Sequence, residues 1–549
     1  MRSNRRSVAR SAAAPASLLA AFATCLACST TPALPRATGP GAPSPQWWRQ
    51  ATFYEIFVRS FADSDGDGVG DLAGLTARLD SLNDGDPSTT FDLGVTGLWL
   101  MPIQPAASYH GYDVTDYTAV NPAYGDLAAF EALLAAAHAR GIRVIIDFVL
   151  NHTSSQHPWF VEASTGPRAR FRDHYLWRSA PPEQGFERPW DGASTWHRGA
   201  GDDLYYGLFY SGMPDLDLTN PAVEAKMIDA MRFWLDLGVD GFRVDAVRYL
   251  VETEDGVVAD TAETHALLRR IRAALQRHHP DVLLVGEAWT SLEGAATYHG
   301  AQSDEVHLTF GFELAGAILT AVKDGARVDL RRALKRAPDA YRDLAGQAPF
   351  LTNHDMPRVM RALGGDRAKM RVAAATLFAM VGTPFVYYGE ELGMQGGATP
   401  KDEDKRTPLP WDPSPHRGFT SGTPWIMSTE VDNIDLETQR DDPSSLWSLY
   451  RRLIALRGSR PSLTSSALTL PDVRGGGRGL LVLLRGSKER RTLVVINYAP
   501  GDTGAFTVDL PGVPSVLLQE GLAAEPTSQD GALRFPGLGP RGFAYLDLR

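Results

Sequence analysis

One phrase recurs along this chain and limits its fold more than any other feature. An amphipathic helix runs to a glycine, and a short strand apolar enough to be buried on both faces follows. In "FEALLAAAHARG", Phe130, Leu133, Leu134 and Ala137 share one helical face, Gly141 ends the helix, and "RVIIDFVL" is the strand. "NPAVEAKMIDAMRFWLDLG" repeats the phrase, with Asn220 as N-cap, Pro221 in the first turn and Gly238 at the end. Its apolar stripe is Met227, Met231, Trp234 and Leu235, and "GFRVDAVRYL" follows it. "THALLRRIRAALQRH" before "VLLVGEAW" is the third statement. With "FYEIFVRSF", "VTGLWLMPI", "VHLTFGF", "APFLTNHD" and "TPFVYYGEE" there are eight strands among helices. That alternation predicts an α/β protein built on a (β/α)8 TIM barrel. The alternative is a doubly wound open sheet. Its dinucleotide-binding form requires a Gly-rich phosphate turn after the first strand, and the lack of one weakens that version.

Departures from the rhythm divide the chain. Residues 1–27 have a basic head (Arg2, Arg5, Arg6, Arg10) and a short alanine-rich apolar run, which predicts an export signal. Residues 28–45 are rich in Pro, Ser, Thr and Gly and read as a linker. The barrel is expected over 46–151 and 219–464. A loop-rich insertion without a clear helix, 152–218, separates the two parts after strand 3. From 465 to 549 short strands such as "GLLVLLRG", "RTLVVINYA" and "GFAYLDLR" predict a C-terminal antiparallel β-sandwich. The only cysteines are Cys25 and Cys28, so the body has no disulfide. "TCLACST" is similar to a bacterial lipoprotein box with Cys28 as the lipidated residue. Ordinary cleavage near Ala27 is the alternative. The net charge of −11 argues against nucleic acid as a partner.

Catalytic groups of a barrel sit at the C-terminal ends of its strands. There the chain places Tyr109, His110 and Tyr112 after the second strand, and Asp147, Asn151 and His152 at the third. Arg243 and Asp245 end the fourth, Glu287 the fifth, and His354 and Asp355 the seventh. Alternate residues of a strand share a face, so Arg243 and Asp245 point the same way. Unpaired buried carboxylates are costly, and so many at one end are not explained by packing.

The segments "DFVLNH", "GFRVDAVR", "VGEAW" and "LTNHD", in this order from about Trp47 onward, resemble the α-amylase family of retaining glycoside hydrolases. The resemblance implies Asp245 as nucleophile, Glu287 as general acid/base and Asp355 as the carboxylate that stabilises the transition state. It implies Arg243 as holder of the nucleophile. His152 and His354 would bind hydroxyls of the sugar being cleaved, Tyr112 would lie beneath that sugar with His110 nearby, and Arg248 stands where many amylases carry Lys. Asp147 is read as structural. Retention needs one carboxyl ionised and one protonated. Arg243 is expected to lower the pKa of Asp245, and neighbouring carboxylates to raise that of Glu287.

"DSDGDGVGD" offers Asp63, Asp65, Asp67 and Asp71 with the Val69 carbonyl as hard oxygen ligands. Related family members bind calcium in this loop, so Ca2+ is expected. A second family site uses an asparagine and a histidine. Asn151 is present, but Tyr249 stands in the histidine's place, which puts that site in doubt.

"MPDLDL", residues 213–218, resembles a bacterial group intermediate between oligo-1,6-glucosidases and neopullulanases that includes extracellular and lipoprotein amylases. Ala246 is the small residue associated in the family with α-1,4 preference. The expectation is an exported enzyme, lipid-anchored or secreted, acting on starch and maltodextrins. Contact with a membrane would be only through the N-terminal lipid. An α-glucosidase, oligo-1,6-glucosidase or transglycosylase is the alternative within the family. A glucan-binding protein without catalysis is the alternative outside it.

Overall fold

A computed structural model describes residues 46–182, 184–199, 201–431, 433–487 and 490–549. The expected signal, Cys25, Cys28 and the linker lie outside the described residues. Eight parallel strands form the central sheet. They are β1 (Phe53–Ile56), β2 (Gly97–Leu100), β3 (Arg143–Phe148), β4 (Gly241–Val244), β5 (Leu283–Gly286), β6 (Leu308–Phe310), β7 (Gln347–Ala348) and β8 (Phe385–Tyr387). The pairing order is β7-β6-β5-β4-β3-β2-β1-β8. Amides of Thr383 and Phe385 donate to the carbonyls of Gln347 and Pro349, which joins β8 back to β7 and closes the barrel. Strand β7 is short because Pro349 has no N–H to give to a ladder.

The helices form as their caps and stripes dictate. Asn220 accepts from the Ala222 amide at 2.9 Å, Pro221 opens the helix Pro221–Leu237, and Gly238 ends it at φ 109°, a conformation costly for any residue with a Cβ. Met227, Met231, Trp234 and Leu235 are all buried.

The inside of the barrel is a separate apolar core of Phe53, Trp99, Ile145, Leu283, Val285, Phe310 and Phe385, with Phe53 and Phe385 stacked at 4.6 Å. Gly97 makes room for it, since a Cβ there would lie 2.6 Å from the Phe53 ring. Strand alternation then sets what stands above this plug. The face with Phe53 continues to Glu55, that with Ile145 to Asp147, and that with Leu283 and Val285 to Glu287. Apolar residues fill the lower barrel and leave the C-terminal end for charge.

The insertion holds more regular structure than its sequence suggests. A six-residue helix, Pro158–Ala163, follows the cap His157, and Trp177–Arg178, Leu204–Tyr206 and Trp196–Arg198 pair as a small antiparallel sheet. Its core is aromatic: Phe186, Trp196 and Tyr206, with Tyr249 of the barrel packed against them. No helix among the described residues is long and apolar enough to cross a membrane.

The C-terminal region is two antiparallel sheets of five and four strands around Leu480, Val495, Phe506, Leu533 and Leu546. Buried Arg485 leaves this sandwich and donates to the carbonyls of Ala379 and Met380 at 2.7 and 2.6 Å, at the end of the barrel helix Arg367–Ala379. Its other amino group donates to Leu463 and Ser465. A cation at a helix C-terminus is favourable, and one guanidinium satisfies four carbonyls that would otherwise be buried unpaired.

Candidate active site

Arg243 is the hub of the site. Its Nη1 lies 2.5 Å from Asp245 Oδ1 and 2.9 Å from Asp147 Oδ1, and its Nη2 lies 2.9 Å from Glu287 Oε2. One guanidinium therefore touches the ends of β3, β4 and β5. Just past β4, Ala246 adopts φ 49°, an uncommon left-handed conformation for a residue with a side chain. This turn aims its amide at Glu287 Oε2, 3.0 Å away.

Burial pushes Asp245 up to about 6, against the opposing charge of Arg243. The expected lowering is thus corrected: desolvation outweighs the cation, which limits the rise without reversing it. Glu287 is pushed up to about 7, first by burial and then by repulsion from Asp245 and Asp355. Asp355 goes the other way. Burial would raise it, but His354, Arg406 and Arg243 hold it far below the usual carboxylate range. At neutral pH Asp355 and most of Asp245 are thus ionised while Glu287 still holds its proton in part, so an anion and an acid stand side by side.

Asp355 is fixed by His354 Nε2 on Oδ2 and by Arg406 Nη2 on Oδ1, both at 3.1 Å. Tyr112 lies parallel to the His354 ring at 5.5 Å and gives its hydroxyl hydrogen to Asp147 Oδ2 at 2.9 Å. His354 is completely buried behind this pair and reaches β1, where Glu55 Oε1 lies 2.6 Å from Nδ1.

A cleft of about 700 Å³ opens over these groups, lined by His110, Tyr112, His152, Asp245, Arg248, Glu287 and Asp355. Arg243 and His354 stand behind its wall. His152 has partners for both ring nitrogens, the Tyr112 carbonyl and the Asn151 amide, and burial lowers its pKa to about 3, so it is a neutral hydrogen-bonding group. Arg248 grips Asp260 through two nitrogens and donates to the Trp289 carbonyl at 2.8 Å, which anchors the loop after Glu287. The same wall includes residues that reading the strand ends does not assign to the site: Arg406, Asp402, Phe209, Trp190 and Trp289. The two indoles come from the insertion and from the β5 loop, and both are half exposed.

In the first loop, Asp63, Asp65 and Asp71 bring ligand oxygens within 4.8 Å of one another. Asp67 stands apart, accepting from the Val69 amide at 2.7 Å. Burial works against ionisation of Asp63, but the Thr420 hydroxyl and the amides of Gly66 and Gly68 hold its pKa low. Asp71 also caps the following helix through the Gly74 amide. At the doubtful second site, Asn151 Nδ2 donates to Asp215 at 2.9 Å, and burial pushes Asp215 up to about 7. The Tyr249 ring lies in the insertion's aromatic core.

Residues 55–466 match the family described as alpha amylase, catalytic domain. The chain is 36% identical to alpha-amylase 3 of Dictyoglomus thermophilum, over 82% of this chain and 85% of that one. It is 32% identical to a trehalose synthase/amylase of Mycolicibacterium smegmatis, over 92% and 93%. Among solved structures, an alpha-amylase from H.orenii superposes with a TM-score of 0.80 at 37% identity, covering 91% of this chain and 99% of that chain.

Proposed function

The chain belongs to the α-amylase family and is an enzyme of the glycoside hydrolase type, and within that family we propose that it hydrolyses α-1,4-glucosidic bonds of starch and maltodextrins with retention. The observation that carries the mechanism is the bridging of Asp245 and Glu287, both in the cleft wall, by one guanidinium behind it.

Asp245, ionised above about pH 6, attacks the anomeric carbon. Glu287, still protonated near neutrality, gives its proton to the departing glycosidic oxygen, and that bond breaks as the Asp245 ester forms. Glu287 then takes a proton from water, water attacks the same carbon, and Asp245 leaves. Asp355, held ionised by two cations, stabilises the positive charge that develops on the sugar. Tyr112 offers a ring face to that sugar, and His110, with its Nδ1 accepting from the Tyr112 amide, lies beside it.

Small Ala246 in the cleft wall supports the α-1,4 reading. Product analysis tests it. Starch and maltotriose should yield mainly maltose and glucose, first released as the α-anomer, with isomaltose left intact. Rapid cleavage of isomaltose overturns the bond specificity, and initial release of the β-anomer overturns the mechanism.

Two accompanying readings concern the rest of the chain. Calcium binds Asp63, Asp65 and Asp71 and ties the first loop to the segment around Thr420 in a structural role, because these oxygens converge as a hard cation requires. The chain is exported, either lipid-anchored at Cys28 or secreted, since polymeric glucans do not enter cells intact.

A further inference from the structure

We propose that Glu55, on β1, is a positioning residue for the reaction: it fixes His354 as a doubly protonated imidazolium that orients Asp355 and keeps it ionised. This rests on the reading that Asp355 takes part in glycoside cleavage.

The hydrogen-bond directions carry the argument. On one side, His354 Nδ1 faces Glu55 Oε1 at 2.6 Å. On the other, Nε2 faces the Tyr112 hydroxyl oxygen at 2.6 Å and Asp355 Oδ2 at 3.1 Å. Tyr112 has one hydroxyl hydrogen and gives it to Asp147, so it accepts on its His354 side. Every neighbour of both ring nitrogens is then an acceptor. A neutral imidazole carries a lone pair on one nitrogen and would turn it against an oxygen. With side-chain exposures of 0% for His354 and 2% for Glu55, water does not relieve that clash. An imidazolium satisfies all contacts at once.

The charges around the ring agree with this state. Asp355 on its own segment, Glu55 on β1 and Asp147 on β3 are the acidic groups that face it; burial raises the pKa of Glu55 and of Asp147, and the cations His354 and Arg243 oppose that rise in both. The opposing cations are Arg243 on β4 and Arg406, which donates from Nε to the His354 carbonyl. Trp99 of β2 covers an edge. Burial pulls the pKa of His354 down, but Asp355 and Glu55 lift it to about 9. Neutralising Glu55 leaves the solvent-free pocket opposed by one fewer anion. The ring then sheds its proton near neutrality, and Asp355 loses both a donor and a positive neighbour.

The test compares wild type with Glu55→Gln, which keeps an oxygen for Nδ1–H, and with Glu55→Asp, which keeps the charge. Far-UV circular dichroism checks folding. NMR titration of the ligand-free protein, with His354 assigned by its substitution, should place the imidazole about 2 pH units lower in Glu55→Gln than in wild type. The ratio of variant to wild-type kcat/KM on maltotriose should be near one at pH 5 and fall about tenfold by pH 8. The titration of Glu287, common to both enzymes, cancels in that ratio. For Glu55→Asp the ratio should be flat with pH, and this variant decides the matter if Glu55→Gln does not fold. Equal His354 titration in the two proteins, or a flat ratio for Glu55→Gln, overturns the proposal. A wild type inactive on maltotriose overturns the reading of its substrate, and the ligand-free titration still judges Glu55.

Discussion

Arg243 Nη2 lies 2.9 Å from Glu287 Oε2, on the same guanidinium whose Nη1 holds Asp245. The spacing of the two carboxyls is set by one rigid, planar group. Lysine offers a single point charge and cannot bridge both with Asp147 as a third partner. Arg243→Lys should lower kcat about 10²–10³-fold. It should also lower the melting temperature, because buried carboxylates lose partners. A variant with near wild-type kcat would refute the bridging role.

The pH profile follows from the same pair. kcat/KM should rise with pH as Asp245 loses its proton near 6 and fall as Glu287 loses its proton near 7. Glu287→Gln should depress starch cleavage about 10²–10⁴-fold and erase the alkaline limb. A nitrophenyl maltoside, whose leaving group needs no proton, should be spared much of that loss. An alkaline limb that survives the substitution assigns the acid elsewhere.

Trp289 stacks on Phe312 with centroids 4.5 Å apart and planes 11° apart, and its other face is open. It is 49% exposed, an unusual position for so large an apolar side chain unless something covers it in use. Trp289→Ala should raise KM for maltotetraose by roughly 2- to 12-fold, the worth of one stacking contact. Melting should change little. An unaltered KM would mean that glucan passes elsewhere.

Stability should respond to pH through two buried glutamates. Burial pushes Glu391 up to about 7 and Glu390 up to about 8, each with one unpartnered oxygen. As pH rises past the ordinary glutamate range, the unfolded chain ionises first and the folded chain loses stability. The loss is complete only above the folded values. Glu391→Gln keeps an oxygen for the Tyr54 hydroxyl, 2.7 Å away. It should raise the melting temperature at pH 8 relative to wild type and leave it unchanged at pH 4, as scanning calorimetry can show. An equal shift at both pH values would contradict the cause given.

Chelation probes the first loop. EDTA should lower the melting temperature of the wild type, and calcium should restore it. Asp63→Asn, at the meeting point of Thr420 and the loop amides, should remove that response. A wild type indifferent to EDTA would leave Asp63 and Asp71 as backbone caps only.

Much of this was legible in the chain because it is local. Asn220 and Gly238 mark their helix directly, and the spacing of Arg243 and Asp245 places them on one face. The rest depends on partners distant in sequence. Glu55 sits alone in "FYEIFVRSF", where a single carboxylate in an apolar strand looks like an edge facing water; its histidine is 299 residues away. Arg406 reaches Asp355 from a loop with no periodic signal. Trp190 is one aromatic among many in an insertion whose packing has no repeat. The pKa of Asp245 is set less by Arg243 than by burial, and a strand pattern reveals the nearest charge but not how completely solvent is excluded around it.

Arg485 fastens the C-terminal sandwich to the end of a barrel helix. A chain shortened before it would leave the helix Arg367–Ala379 ending on bare carbonyls, directly before the strand that closes the ring beside β1 and its Glu55. Exchanging this domain for another, as in the construction of chimeric enzymes, therefore transplants a structural fastener. The graft would need an arginine at the position of Arg485 before its other properties mattered.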